Sequence, residues 1–207
     1  MVYLGIDDEE FIRGKVPMTK KEIRILSLVK AHLSPSAVVY DIGAGTGAIS
    51  VEAARLVPEG RVFALERNPE AVILIKANAA NFALRNITVI NEEAPAGLEH
   101  LPFCDAVFVG GSGGKLVPIL DAAAKKLKSG GHIVVNCITV QSLMQAIEYF
   151  RSRDSEFSYE TIQVQVTHLQ QIGPYDMAKA VNPVYILTAK KWDRDQNGLA
   201  DMNEKAV

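Results

Sequence analysis

The segment from Asp41 to Gly47 carries the residue types that bind a nucleoside-like ligand. An apolar run ends in Asp41, and glycines follow at every second position, at Gly43, Gly45 and Gly47. Glycine adopts positive φ angles readily and lets the backbone approach a ligand closely, because it has no Cβ. A helical pattern follows directly, so the N–H groups of a helix N-terminus would face the same ligand. The segment therefore predicts a strand, a tight turn and a helix that together bind a small molecule.

Two ligand classes fit this glycine turn. As G-x-G-x-x-A, the segment from Gly43 to Ala48 matches a dinucleotide fingerprint, in which Glu66 would bind a ribose. As D-x-G-x-G-x-G, with Asp41 included, the segment from Asp41 to Gly47 matches the nucleoside-binding turn of S-adenosylmethionine methyltransferases. Glu66 ends the next predicted strand and can accept two ribose hydroxyls, while Glu93-Ala94 follows the third strand, where such enzymes hold the adenine. Each carboxylate alone is also typical of a solvated charge, but together they predict S-adenosylmethionine.

Strand-like apolar runs alternate with helical patterns along most of the chain. Such alternation predicts a parallel sheet that helices cover on both faces. We expect strands at Ala37–Ile42, Arg61–Glu66, Ile87–Ile90, Asp105–Val109 and His132–Ile138. We expect helices that begin at Thr19, Thr46, Asn68, Leu116 and Val140. Thr19 and Glu22 predict a capping box, Asn68-Pro69 predicts an N-cap, and Gly130-Gly131 predicts a glycine C-cap.

The last fifty residues follow a different pattern. Tyr159–Leu169 alternates apolar and polar residues, which predicts one long strand, and Pro183–Ala189 predicts a final strand after a short polar segment. Two strands without a helix between them predict an antiparallel pair at the sheet edge. The predicted fold is therefore an α/β, Rossmann-like, seven-stranded class I methyltransferase. The polar face of the long strand favours contact with another subunit, which would cover an exposed edge.

Composition excludes several classes of protein. The chain has 207 residues, a net charge of −2 and 48% hydrophobic residues, as expected for one globular domain. The charge balance gives no general attraction to nucleic acid. No apolar run approaches the roughly 20 residues of a membrane span, and the N-terminus lacks a signal-peptide pattern. Cys104 and Cys137 lie in or beside predicted strands, which favours free thiols in a cytoplasmic protein with no membrane partner.

Five further patterns are specific in combination: Asp8–Ile12 with Val16–Glu22, Val39–Gly47, Ala64–Ala71, Glu93–Pro95 and Val109–Gly114. Together they resemble the decarboxylating precorrin methyltransferases of cobalamin synthesis (the CbiT family). The resemblance covers Gly5 to Lys190, and its N-terminal and glycine-loop elements are more specific than the glycine turn, which many methyltransferases share. The segment Ala180–Pro183 lacks the Ser/Arg-Asn-Pro sequence that the family is expected to have before the last strand.

The resemblance implies a reaction, a cofactor and an assembly. It implies methylation of carbon 15 of a cobalt-precorrin or precorrin with loss of the ring-C acetate carboxylate, a homotetramer, and a partnering carbon-5 methyltransferase activity. The implied cofactor residues are Thr19, Gly43, Ala44, Gly45, Thr46, Gly47, Glu66 and Ala94. Separately from the resemblance, the loop after the fourth predicted strand, with Gly110, Gly111, Ser112 and Gly113, is predicted to bind the substrate, because a flat ring could approach the methyl donor over a loop with almost no side chains. We expect an N-terminal arm over residues 1–18, a methyltransferase domain over 19–191 and a polar tail over 192–207.

Some residues stay unassigned. Arg13, Lys15, Lys20 and Lys115 are candidates for binding substrate carboxylates, although surface cations are common. His32, His100, His132 and His168 are more typical of ordinary positions than of catalysts, so no catalytic residue is predicted. Asp193 to Glu204 matches a calcium-loop pattern, but without flanking helices a solvated acidic tail is favoured and no metal is expected. Alternatives for the whole chain are a methyltransferase acting on RNA or protein, a cofactor-binding scaffold subunit and a nicotinamide enzyme.

Overall fold

The computed structural model describes residues 4–193 and contains one large sheet, a separate hairpin and five α-helices within that range. The helices are α1 Lys21–Lys30, α2 Ala48–Leu56, α3 Pro69–Asn81, α4 Leu116–Lys126 and α5 Val140–Arg151. The strands are β1 Val38–Ile42, β2 Arg61–Leu65, β3 Ile87–Ile90, β4 Cys104–Val109, β5 Leu127–Cys137, β6 Phe157–Val164, β7 Thr167–Ile172, β8 Tyr175–Ala180 and β9 Val184–Lys191. Among these residues no helix is both long and apolar enough to cross a bilayer.

The large sheet has seven strands in the order β3-β2-β1-β4-β5-β9-β6. The first five strands run parallel, and β9 lies antiparallel between β5 and β6. Because parallel strands share one direction, the loops after β1, β2, β3 and β4 all emerge at the same edge of the sheet. The predicted class of sheet and its antiparallel pair at the end of the chain are confirmed.

Helices cover the sheet on both faces and bury it in two apolar clusters. Helices α4 and α5 pack on one face through Ile119, Leu120 and Phe150, which are almost fully buried. Helices α1 and α2 pack on the other face through Leu28 and Ile49. Burial on both faces explains why the parallel strands are continuously apolar rather than alternating.

The C-terminal strands differ from the predicted single strand over Tyr159–Leu169. The chain leaves the large sheet after Val164, and a second, two-stranded sheet forms from β7 and β8, the latter within the short polar segment before the predicted final strand. Pro183 has no N–H to donate, so the ladder between β6 and β9 cannot extend past Val184. Val181 donates its N–H to the Val166 carbonyl instead, which starts the hairpin.

Two predicted helix caps are wrong and one is confirmed. The N-cap of α1 is Lys20 rather than Thr19, and its side chain makes no capping hydrogen bond. Helix α4 ends at Lys126 and β5 begins at once, so Gly130-Gly131 lies inside a strand. Asn68 caps α3 as predicted, because its side chain accepts a hydrogen bond from the Glu70 N–H at 3.0 Å.

Candidate functional site

The glycine turn joins β1 to α2 at the carboxyl edge of the parallel strands. A Cβ on Gly43, where φ is 68°, would lie 2.4 Å from the carbonyl oxygen of Gly111. A Cβ on Gly45 would lie 2.8 Å from the carbonyl oxygen of Pro17. No side chain fits at either position, so the turn lies directly between the loop after β4 and the N-terminal segment.

A cavity of about 580 Å³ opens beside this turn. Its volume is typical of a small-molecule site. It contains most of the residues that the sequence assigned to cofactor and substrate: Thr19, Gly43, Ala44, Gly45, Glu66, Ala94, Gly110, Gly111, Ser112 and Gly113. Thr46 and Gly47 lie outside the cavity lining; Thr46 is only 1% exposed, and Gly47 is the N-cap of α2. These last two residues shape the turn from behind.

Glu66 follows β2 and holds the turn in place. Its two carboxylate oxygens accept hydrogen bonds from the N–H groups of Gly45 and Asn68, each at 2.9 Å. A carboxylate offers about four acceptor positions, so two remain for a ligand. Glu66 can therefore fix the turn and accept hydroxyl groups from a ligand at the same time.

Asp41 lies behind the turn as a buried carboxyl group. It is 1% exposed and accepts a 2.5 Å hydrogen bond from the Ser50 hydroxyl at the start of α2. Burial raises the pKa of Asp41 to about 6, although the hydrogen bond from Ser50 opposes that rise. The charge of the carboxyl group beneath the turn therefore changes near neutral pH.

A cluster of three charged residues lies at the cavity rim. Glu93, which follows β3, accepts 2.7 Å hydrogen bonds from Arg67 after β2 and from Lys115 at the start of α4. The hydrogen bonds from these two cations lower the pKa of Glu93, and Lys115 has the larger effect. Ala94, the predicted adenine contact, is almost buried beside this cluster. Sequence reasoning found Glu93 and Lys115 but assigned them no contact with each other.

Aliphatic residues line the side of the cavity away from Glu66. Ile138 follows β5 and is 76% exposed, while Val166, Val181 and Val184 lie where the hairpin leaves the sheet. Asn136 lies below them and accepts a 3.1 Å hydrogen bond from Ser27. Sequence reasoning missed this wall. Ile138 could have been found from its place after β5, but the valines depend on a hairpin that the sequence pattern did not predict.

The N-terminal segment forms a third wall, from Val16 to Thr19. Arg24 anchors it from α1: the guanidinium is fully buried, bonds to Glu52 at 2.8 Å and to Asp8 at 2.7 Å, and donates to the Thr19 carbonyl. Thr19 therefore contributes its backbone to this anchor. A buried arginine with charged partners on two segments holds the arm against the domain.

The remaining sequence candidates lie in mixed positions. Lys20 lines the cavity and pairs with Asp8 at 3.2 Å, whereas Arg13 and Lys15 are exposed outside its lining. His132 lies at the middle of β5, opposite Lys190 of β9 and away from the carboxyl end of the strand, and burial lowers its pKa to about 4. Of the calcium-loop pattern from Asp193 to Glu204, only Asp193 belongs to the described residues.

Comparisons with known proteins agree with one another. A family model described as "Precorrin methyltransferase domain" matches residues 10–191. A Sulfurisphaera tokodaii protein named "probable cobalt-precorrin-6B C(15)-methyltransferase (decarboxylating)" is 41% identical over 90% of this chain and 97% of its own. The Salmonella typhimurium protein of the same name, without "probable", is 37% identical over 94% and 99%. The Geobacter metallireducens structure named precorrin-6y C5,15-methyltransferase has 45% identity and a TM-score of 0.84 over 91% and 96%.

Proposed function

Because this chain belongs to the precorrin methyltransferase family, we propose that it methylates carbon 15 of a cobalt-precorrin and decarboxylates the ring-C acetate, in cobalamin biosynthesis. One observation carries the proposal. A single cavity combines a glycine turn and Glu66 on one side with an apolar wall at Ile138 and Val181 on the other. A nucleoside cofactor and a flat apolar acceptor could therefore meet across the loop from Gly110 to Gly113.

S-adenosylmethionine would supply an electrophilic methyl group at this site. The residues present fit it: Glu66 has acceptor positions left for the ribose hydroxyls, and the bare backbone at Gly43 and Gly45 leaves room for a closely bound ligand. Ala94, the proposed adenine contact, lines the same cavity as Glu66 and the glycine turn. The cluster of Arg67, Glu93 and Lys115 would border the same part of the cavity.

The acceptor would lie against the aliphatic wall. A tetrapyrrole is flat and apolar across its ring, and its edge carries carboxylates. Ile138 and Val181 offer an apolar surface that continues to solvent, and the loop from Gly110 to Gly113 has almost no side chains to obstruct a ring. Lys20 and Arg67 line the cavity and carry charges that suit the edge carboxylates.

The chemistry needs positioning more than acid–base catalysis. Carbon 15 belongs to an electron-rich conjugated system, so the walls have only to align it with the methyl donor and exclude water. A bond would form between carbon 15 and the methyl group while the bond from that methyl group to the sulfonium sulfur breaks, with S-adenosylhomocysteine as the leaving group. When the acetate loses carbon dioxide, the conjugated ring takes up the electron pair and a proton from solvent completes the product. No residue of the cavity is assigned as a catalytic acid.

The hairpin formed by β7 and β8 supports assembly into a homotetramer. Both strands are exposed along their whole length and carry large apolar side chains. Leu169 and Tyr175 are more than 70% exposed, and Ile172 and Met177 more than half exposed. Such a concentration on one projecting element is typical of a protein–protein interface, and a second copy of this chain is the proposed partner.

Free, buried Cys104 and Cys137 support a location in the reducing cytoplasm.

The test is incubation of the protein with the cobalt-precorrin substrate and S-adenosylmethionine, followed by mass spectrometry. The product should gain one methyl group and lose one carbon dioxide. A parallel reaction without S-adenosylmethionine is the control for spontaneous decarboxylation. An unchanged substrate mass, with a verified substrate and a folded protein, would overturn the proposal.

A further inference from the structure

Asn78 of α3 connects two parts of the site that are distant in sequence. Its side chain is fully buried. The amide oxygen accepts a 2.7 Å hydrogen bond from the Ile12 N–H, and the amide nitrogen donates to the Ile12 carbonyl at 3.0 Å. The same nitrogen donates to the Thr46 carbonyl at 2.9 Å. One side chain thus bonds both backbone polar groups of Ile12 in the N-terminal arm and bonds the glycine turn as well.

The arm and the turn also meet directly beyond Asn78. The carbonyl oxygen of Pro17 lies so close to Gly45 that a Cβ there would be 2.8 Å away. Below the turn, a Cβ on Gly47 would lie 3.0 Å from the side chain of Ile75, one helical turn before Asn78. Helix α3 therefore supports the turn, while the arm closes over it.

We propose that Asn78 is a positioning residue that holds the N-terminal arm and the glycine turn as one unit, and thereby fixes the position of the arm relative to the turn where both line the methyl-donor site. The inference rests on the proposed binding of a methyl donor at the turn. Asn78 touches neither the cavity nor a ligand in it. It acts through the backbone carbonyls of Ile12 and Thr46, which have to stay paired when buried.

The decisive variant is Asn78→Asp. A carboxylate keeps the acceptor for the Ile12 N–H but cannot donate to the carbonyls of Ile12 and Thr46, so the arm and the turn are no longer linked. Asn86→Asp is the matched control, because Asn86 also donates two 2.9 Å hydrogen bonds to carbonyls, those of Ala54 and Val57, at the other end of α2. Both variants lose two donated hydrogen bonds, but only Asn78→Asp loses the bonds that link the arm to the glycine turn.

Two measurements distinguish positioning from loss of stability. Calorimetric titration with S-adenosylhomocysteine should show about tenfold weaker binding for Asn78→Asp and near-normal binding for Asn86→Asp, since one to two hydrogen bonds are at stake. Trypsin cleavage after the exposed Arg13 and Lys15 should be slowed by S-adenosylhomocysteine in the wild type and in Asn86→Asp. The ligand should give no such protection in Asn78→Asp.

Equal affinities for the two variants, or retained protection of the arm in Asn78→Asp, would overturn the inference. If Asn78→Asp does not fold, the pair Asn78→Ser and Asn86→Ser replaces it with the same expectations. If the wild type does not bind S-adenosylhomocysteine, the proposed cofactor is wrong. In that case the rate of trypsin cleavage of the arm without ligand tests whether Asn78 links the arm to the turn. Faster cleavage in Asn78→Asp than in Asn86→Asp supports the link, and equal rates refute it.

Discussion

Replacement of Glu66 by glutamine is the sharpest perturbation of the proposed cofactor site. The two carboxylate oxygens accept from the N–H groups of Gly45 and Asn68, each at 2.9 Å, and their remaining acceptor positions face the cavity. In Glu66→Gln one oxygen becomes an NH₂ group. That group opposes one of the two backbone N–H groups and cannot accept a ribose hydroxyl.

The expected loss follows from the number of bonds. Charge-assisted hydrogen bonds contribute about 1.5–3 kcal/mol each, and two proposed ribose bonds are weakened or lost, so we expect S-adenosylhomocysteine binding to weaken by about 2–4 kcal/mol. At about 1.4 kcal/mol for each factor of ten, this loss is about 30- to 700-fold in Kd. The change to the turn itself would lower the thermal stability of the unliganded protein as well.

Calorimetry with two ligands separates these effects. S-adenosylhomocysteine and an analogue without both ribose hydroxyls are titrated into the wild type, Glu66→Gln and the control Glu59→Gln, which replaces a carboxylate at the opposite end of β2. Glu66→Gln should lose affinity for S-adenosylhomocysteine but little for the analogue without ribose hydroxyls. The difference between the two losses is the coupling energy between Glu66 and the hydroxyls. Equal losses for both ligands would refute a ribose contact at Glu66.

Three further predictions follow from the same geometry. The pKa of Asp41 rises from 3.8 to about 6 in the folded protein, so the folded state binds more protons than the unfolded state. The free energy of unfolding should therefore fall by about 2 kcal/mol relative to Asp41→Asn between pH 4 and pH 7. An equal pH dependence of the two proteins in denaturant unfolding would contradict this. Gly43→Ala should lower the melting temperature, because Gly43 has a positive φ and a Cβ there would clash with Gly111. A Cβ on Gly111 meets nothing nearer than 3.9 Å, so Gly111→Ala should keep the melting temperature and raise the KM for the tetrapyrrole. Tyr175→Asp should give smaller species in analytical ultracentrifugation, and an unchanged sedimentation coefficient would exclude the hairpin as the interface.

The sheet and the cofactor side of the site could be predicted because they depend on local signals. The turn from Asp41 to Gly47 needs glycine at fixed positions, and that need is visible in the sequence. Glu66 and Glu93 follow strands that the apolar runs mark clearly. Since carboxyl ends of parallel strands share one edge, placing the strands was enough to bring these residues together.

The parts that sequence reasoning missed depend on contacts between distant segments. The hairpin has strands that are exposed throughout, so no apolar alternation marks β8, and Pro183 signals only where the ladder stops. Thr19 matches a capping box, but the buried guanidinium of Arg24 takes its carbonyl and the helix begins after Lys20. Asn78 looks like an ordinary helical residue until the arm folds back onto it.

The central claim is methyl transfer to carbon 15 coupled to decarboxylation, and carbon-13 NMR of the product tests it most directly. The reaction uses S-adenosylmethionine labelled with carbon-13 in the methyl group and a tetrapyrrole labelled in the ring-C acetate carboxylate. We expect one new labelled methyl group bonded to carbon 15 and loss of the carboxylate signal as labelled carbon dioxide. A labelled methyl group at another position, or a retained carboxylate signal, would contradict it.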